Sequence, residues 1–372
     1  MADFQLLIKP VSADCNLVCD YCFYRRTLAQ YPEPRHRMSP ETLERMISLA
    51  LAAGYPDTTV FAWQGGEPTL AGIDFYRQAL RLMNRHGRDR QPVGNALQTN
   101  GVLLDHEWAR LCADYSILVG VSLDGPREIH DRWRTTAAGG GSFDTVMRGI
   151  GHLRAAGAEF NILTMVTATS APHGELIYRF LREHGFAHLQ FIPCVEVNPQ
   201  TGGPTEHTPP PEAYGEFMCA VFDAWRREAA SGVSVRLFDA MMRHALTGES
   251  GLCELGAGCG SYYVVEYNGD VYPCDFFVAP EWHLGNLHEQ SFDEIRQTAR
   301  WHQFVAQRDA NAAACRDCRW FDLCRGGCSK DRLPAGGAQM RSYLCRSHQR
   351  FFEHAAEALR EIAQQRCPSV SS

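Results

Sequence analysis

From residue 4 to about residue 195 the chain alternates short apolar runs with stretches whose apolar residues recur at helical spacing. The runs are Phe4–Lys9, Thr59–Trp63, Val93–Gln98, Ile117–Leu123, Phe160–Val166 and His188–Pro193. They are rich in β-branched residues and largely apolar throughout, as strands buried on both faces are. Between them the helical signals are readable. Ser39 is placed to cap a helix with Pro40 at its first position and Glu41 in its first turn, and Leu43, Met46, Ile47 and Ala50 form one stripe. Asp74–Arg85, Asp105–Ala113, Phe143–Ala156 and Gly174–His184 follow the same logic. Six β–α repeats predict an α/β fold whose parallel sheet curls into a partial barrel.

The pattern breaks at Glu196–Pro211, a Pro- and Gly-rich stretch read as a connector or an ordered loop. Helices are predicted over Glu212–Ala230 and Phe238–Leu246, and an amphipathic one over His348–Gln364. Asn268-Gly269 predicts a hairpin turn between Val264–Tyr267 and Val271–Tyr272. The expected organisation is a barrel with linker over 1–235, a cysteine-rich domain over 236–346, and a helix with tail over 347–372.

Charge narrows the function classes. The 372 residues hold 36 Lys and Arg against 43 Asp and Glu, a net charge of −7, without a basic run. Phosphate backbones are bound by clustered cations, so nucleic acid is not an expected partner. Met1-Ala2-Asp3-Phe4 lacks the basic start of a secretory signal, and eighteen apolar residues never run together. The expectation is a soluble, cytoplasmic protein with no membrane partner. Its 15 cysteines are then the anomaly, since a reducing compartment does not favour them unless they bind metal.

Their spacing points the same way. Cys15, Cys19 and Cys22 form a CxxxCxxC triplet just after the first predicted strand, where a parallel barrel keeps its active site. Eight more follow at Cys253, Cys259, Cys274, Cys315, Cys318, Cys324, Cys328 and Cys345. Three thiolates on a four-iron cluster leave one iron open for a substrate; a zinc site completed by a distant histidine uses the same residues. Eight thiolates suffice for two fully ligated clusters or for two zinc ribbons. Cys112 and Cys219 read as helix-core thiols, Cys194 as a buried thiol at the end of the sixth strand, and Cys367 as part of a polar tail.

The aromatic residue before Cys22 sharpens this reading. CxxxCx(aromatic)C after a first strand resembles the radical S-adenosylmethionine (SAM) superfamily. The resemblance continues through Gln64-Gly65-Gly66-Glu67-Pro68, Gln98-Thr99-Asn100-Gly101, Ser122-Leu123-Asp124-Gly125-Pro126 and His130-Asp131-Arg132-Trp133-Arg134. It implies a partial (β/α)6 barrel with one SAM-binding [4Fe–4S] cluster on Cys15, Cys19 and Cys22. By the same resemblance Gly65, Gly66 and Glu67 belong to the segment that receives the methionine amino group, with Ser122 among the SAM contacts. Arg134 takes the SAM carboxylate, a suitable role for a guanidinium fork. Tyr21 and Val195 match positions that contact the adenosine.

The carboxy-terminal spacing resembles the SPASM extension of enzymes that modify peptides. This implies two auxiliary [4Fe–4S] clusters, one on Cys253, Cys259, Cys274 and Cys328 and one on Cys315, Cys318, Cys324 and Cys345. Within that group the chain resembles the anaerobic sulfatase-maturating enzymes, through Leu7-Ile8-Lys9-Pro10, Cys22-Phe23-Tyr24, Gln64–Leu70, Leu97–Gly101, Asp124–His130, Phe160–Leu163, Tyr272-Pro273-Cys274-Asp275-Phe276 and Leu284-Gly285-Asn286. Glu196–Pro211 departs from the family's pattern.

That family converts a cysteine or serine of a sulfatase to Cα-formylglycine without oxygen. The implied route is a 5′-deoxyadenosyl radical taking hydrogen from the substrate Cβ, then loss of a proton and an electron. Asp275, next to a predicted cluster ligand, matches the family's base; read alone, an aspartate there more often caps a turn. Tyr24 is a candidate for the substrate cavity. The implied partners are a sulfatase carrying Cys/Ser-x-Pro-x-Arg and an electron donor such as flavodoxin or ferredoxin. A SPASM enzyme that forms thioether or carbon–carbon cross-links in a peptide is the neighbouring alternative.

Overall fold

Ten strands carry the architecture: β1 (Phe4–Lys9), β2 (Thr59–Trp63), β3 (Val93–Thr99), β4 (Leu118–Ser122), β5 (Phe160–Val166), β6 (His188–Pro193), β7 (Ser234–Val235), β8 (Tyr263–Glu266), β9 (Asp270–Tyr272) and β10 (Gly285–Asn286). The structure is a computed structural model that describes residues 4–228, 232–256, 258–333 and 341–367. The last two positions of the helix expected over Glu212–Ala230 therefore lie outside the described residues. The chain forms two compact units, one from residues 1–122, 131–160 and 260–305, the other from 123–130, 161–259 and 306–372.

In the first unit the strands run in the order β10-β9-β8-β1-β2-β3-β4. The pairs β1–β2, β2–β3 and β3–β4 are parallel, as the β–α alternation requires. Phe4, Leu6 and Ile8 of β1 share one buried face by the two-residue period of a strand, and Leu7 and Lys9 take the other. The crossover helix Pro40–Gly54 starts where its signals predict. The Ser39 side chain accepts from the Thr42 N–H at 3.1 Å, and Leu43, Met46, Ile47 and Ala50 are buried. Helices Ile73–His86 and His106–Asp114 complete the crossovers.

The predicted hairpin forms, with Gly269 at φ +91° in its turn. Its partner was not legible in the sequence. β8 pairs parallel with β1, setting Glu266 beside Lys9.

In the second unit β5, β6 and β7 are parallel neighbours. The carboxy-terminal helix, Cys345–Arg366, packs on helices Ala213–Arg227 and Arg236–Thr247. Phe351 lies in that seam with its ring centroid 5.5 Å from Phe238. The helix starts three residues before the predicted His348, so Cys345 occupies its first turn. Helix Ala299–Ala312 was not predicted, and its Arg308 is a residue type ordinarily found facing solvent. It is buried instead, and its guanidinium donates to the Glu254 and Gly256 carbonyls at 2.8 and 3.0 Å. No helix among the described residues is long and apolar enough to cross a membrane.

Candidate active site

The loop after β1 carries Cys15, Cys19 and Cys22, and the loops after β2 and β3 are built onto it. The Gly66 N–H donates to the Ser12 carbonyl at 2.8 Å and the Glu67 N–H to the Asp14 carbonyl at 2.7 Å. A Cβ at Gly66 would stand 2.1 Å from that Asp14 oxygen, so only glycine allows the approach. Asp14 is itself fixed by the backbone N–H and Nδ1 of buried His36, at 2.9 and 2.7 Å. Asn100 completes the seam. Its Nδ2 donates to Asn16 Oδ1 at 2.7 Å and lies 3.7 Å from the Cys15 sulfur. Gly66→Ala should therefore displace the triplet, giving purified protein with about one third less iron and no SAM cleavage, measured by iron assay and product chromatography.

Glu67 is buried and its carboxylate is already occupied. It accepts from the Thr69 N–H and hydroxyl, the Thr99 hydroxyl and the Asn100 N–H, at 2.5 to 3.0 Å. Burial pushes its pKa up against those donors. Its visible work is to clamp the β2 and β3 loops together, with Gly65 in the same turn at φ +116°. Arg134 is buried with its guanidinium 5.5 Å from the Tyr21 ring, and the neighbouring Thr135 carbonyl accepts from the Val18 N–H at 2.8 Å. Ser122 ends β4, also in the first unit. Val195 lies buried just after β6 in the second. Burial raises the Cys15 thiol to about 12, partly offset by the Leu17 N–H, and Cys19 and Cys22 stand close enough to raise it further. A bound metal would hold the same sulfur as thiolate.

A second cluster of side chains lies in the same unit. Asp275 follows Cys274 after the hairpin, and the Tyr24 hydroxyl donates to its Oδ2 at 2.6 Å. The Gln64 amide donates to that hydroxyl at 2.9 Å. Lys9 Nζ stands 2.7 Å from Asp275 Oδ1 and 3.2 Å from Glu266 Oε1. Burial lowers the Lys9 pKa, but the two carboxylates overcome it and leave the ammonium above its ordinary value. Burial and the Asp275 carboxylate push the Tyr24 hydroxyl well up, so it is a donor at neutral pH. The Tyr262 hydroxyl lies 3.3 Å from the Cys274 sulfur.

In the second unit, Cys315, Cys318, Cys324 and Cys345 line one cavity of about 250 Å³ together with His348 and Phe352. Burial pushes the Cys324 thiol to about 11, and the other three thiols stand near enough to raise it further. His348 Nδ1 is 3.6 Å from the Cys324 sulfur. Cys253 and Cys328 also sense each other within this unit, while Cys274 belongs to the first.

Comparison with known proteins gives this arrangement a family. Residues 10–176 match the radical SAM superfamily, and residues 257–319 match SPASM, an iron–sulfur cluster-binding domain. The cysteine-type anaerobic sulfatase-maturating enzyme of Clostridium perfringens (strain 13 / Type A) is 37% identical, over 98% of this chain and 99% of its own. The serine-type enzyme of Bacteroides thetaiotaomicron is 33% identical, over 98% and 93%. The chain belongs to the anaerobic sulfatase-maturating enzymes. The solved structure of native anSMEcpe with bound AdoMet and Cp18Cys peptide matches at a TM-score of 0.90 and 36% identity, covering 98% of this chain and 99% of that one. The fold is thus the radical SAM architecture with a SPASM domain, and the chain is a radical SAM enzyme of this kind. The two domains imply [4Fe–4S] clusters and SAM as cofactors, and three clusters fit the family.

The described residues fit such groups on physical grounds. Four thiols around one cavity in the second unit match the ligand number of a closed cluster, and three on one loop match an open one. Among the described residues no three His, Cys, Asp or Glu side chains converge as they would on a single ion. A cubane presents its irons at separate corners, so its thiolates stand further apart than the ligands of one ion.

Sequence reading had not singled out Lys9, Glu266, Gln64, Asp14, His36, Tyr262 or His348 as site residues. Lys9 and Glu266 left a faint signal: each is a charge ending a strand that is otherwise almost wholly apolar. Gln64 opens a matched motif whose spacing gave it no role; the others left no signal, because their roles depend on which loops meet.

Proposed function

We propose that this enzyme oxidises one cysteine or serine of a sulfatase to Cα-formylglycine without oxygen, with hydrogen abstraction at the substrate Cβ. When bound, the clusters and SAM supply the hydrogen-abstracting 5′-deoxyadenosyl radical and an acceptor for one electron. Cys15, Cys19 and Cys22 hold the cluster that meets SAM. The Gly65–Glu67 segment, Ser122 and Arg134 receive the methionine end, and Tyr21 and Val195 the adenosine. The eight carboxy-terminal cysteines hold the two auxiliary clusters.

Asp275 is the base. Oxidising the carbon requires loss of a hydrogen atom, a proton and an electron; Asp275 takes the proton from the substrate thiol or hydroxyl. The observation that carries this reading is its placement. It is covalently next to Cys274, so proton and electron leave toward neighbouring groups, and Tyr24 and Lys9 hold one carboxylate oxygen each. Tyr24, oriented by Gln64, is the residue assigned to the substrate beside it. From serine the product is the aldehyde directly; from cysteine it is a thioaldehyde that water hydrolyses.

The relatives, one a cysteine-type and one a serine-type enzyme, support both substrate classes. The remaining partners are a Cys/Ser-x-Pro-x-Arg segment of the sulfatase and a small electron donor such as flavodoxin or ferredoxin. The cytoplasm, whose reducing conditions keep cluster thiolates intact, is the compartment. The test is anaerobic incubation with SAM, reductant and peptides of both types. Formation of the aldehyde, seen as a mass change that reacts with a hydrazine, is the expected outcome. An untouched peptide, or a cross-linked product from another substrate, would sink the assignment.

A further inference from the structure

We infer that Lys9 is the positioning residue of the proton-accepting carboxylate: it holds the Asp275 side chain in one orientation and is itself anchored by Glu266. This rests on the reading of Asp275 as the base. Three independent features of the structure carry it.

The first is the sheet register. β8 lies parallel to β1 with Glu266 as the neighbour of Lys9, so both side chains leave the sheet on the same face. The second is burial. Both side chains are wholly inaccessible, and Asp275 is nearly so. An ammonium away from water is costly unless it is paired, so the two carboxylates are what make this position tenable for a charged lysine. The third is the division of the Asp275 oxygens. Lys9 takes Oδ1 at 2.7 Å and the Tyr24 hydroxyl takes Oδ2 at 2.6 Å. Contacts at both ends fix the carboxylate plane, and with it the direction of the lone pairs that remain. Lys9 also lies 4.9 Å from the Tyr24 ring centre, so one ammonium steadies the carboxylate and the phenol that share it.

Tyr24 alone would leave the carboxylate free to turn about its bond to Cβ. The Asp275 backbone does not supply the missing constraint, since it lies in a single short 3₁₀ turn, Asp275–Phe277. A base about 1 Å out of place costs on the order of 10²-fold in rate.

Replacing Lys9 alone would strand two carboxylates, so the test uses Lys9→Met with Glu266→Leu, which removes one charge of each sign and leaves the net charge unchanged. Iron content and SAM cleavage should stay close to the parent's, because the described contacts of Lys9 and Glu266 reach the triplet loop at Ser12 and Tyr24 and not at a cysteine. The peptide KM should hold while formylglycine formation falls about 10²-fold. The number of 5′-deoxyadenosine molecules released per formylglycine should rise by a similar factor. Lys9→Arg, whose longer planar head keeps the charge but shifts its position, should give an intermediate ratio and decides the matter if the double variant fails to load iron. A merely structural role would lower iron, melting temperature and SAM cleavage together and leave the ratio near the parent's. A parental ratio in Lys9→Arg, or in an iron-loaded double variant, would overturn the inference. If Asp275→Asn still makes product at the full rate, it is instead the base assignment that fails.

Discussion

Asp275→Asn should cleave SAM at close to the parent rate while formylglycine formation falls by about 10² to 10⁴-fold, the usual worth of a positioned general base. The amide is nearly isosteric and still accepts from the Tyr24 hydroxyl through its oxygen. It has no carboxylate to take the substrate proton, and it leaves Lys9 with one anionic partner in place of two. The substitution therefore separates the two halves of the reaction. On the proposed reading, hydrogen abstraction depends on the triplet loop, whereas completing the oxidation depends on Asp275. The measurement is paired chromatography of 5′-deoxyadenosine and of peptide aldehyde from one anaerobic reaction. Equal yields of both, at the parent rate, would remove Asp275 from the chemistry.

Replacing Cys15, Cys19 and Cys22 together by alanine should abolish SAM cleavage and product alike, and should lower bound iron by about one third, the share of one cluster in three. The remaining two thirds should persist because the four thiols of the Cys315–Cys345 cavity lie in the other unit, and Cys253, Cys259, Cys274 and Cys328 are untouched. Iron and sulfide assays with electron paramagnetic resonance of the reduced protein report this directly. Loss of all iron would show that the triplet is a folding centre for the whole chain; unchanged iron would show that it holds no cluster. Read beside Asp275→Asn, the variant tests the proposed order of events: loss of the triplet should stop the reaction before SAM is cleaved, and loss of the Asp275 carboxylate should slow it afterwards.

How much of this was written in the chain differs from element to element. The start of helix Pro40–Gly54 was legible to the residue, because capping by Ser39, proline at the first turn and a buried stripe are all local. The six barrel strands were legible within about a residue at each end, since each is a short apolar run between turn signals. Helix Ala299–Ala312 was not predicted, and the burial of its Arg308 could not have been, since it depends on the Glu254 and Gly256 carbonyls, over fifty residues away.

The candidate site divides along the same line. The triplet, the Gly65-Gly66 turn and the tethering of Asp275 to Cys274 are each local in sequence, so spacing determined which of these residues stand together, while the choice of iron–sulfur clusters over zinc came from the family resemblance. What only the tertiary structure decided is the company they keep. The pairing of β8 with β1 is a long-range choice between strands about 260 residues apart, and strand spacing carries no label for its partner. That pairing sets Glu266 beside Lys9 and brings Asp275 within ion-pair distance of the same ammonium. A carboxylate adjacent to a cysteine was visible in the letters; that it is held at both oxygens, in a site closed to water, follows from backbone hydrogen bonds that no local pattern encodes.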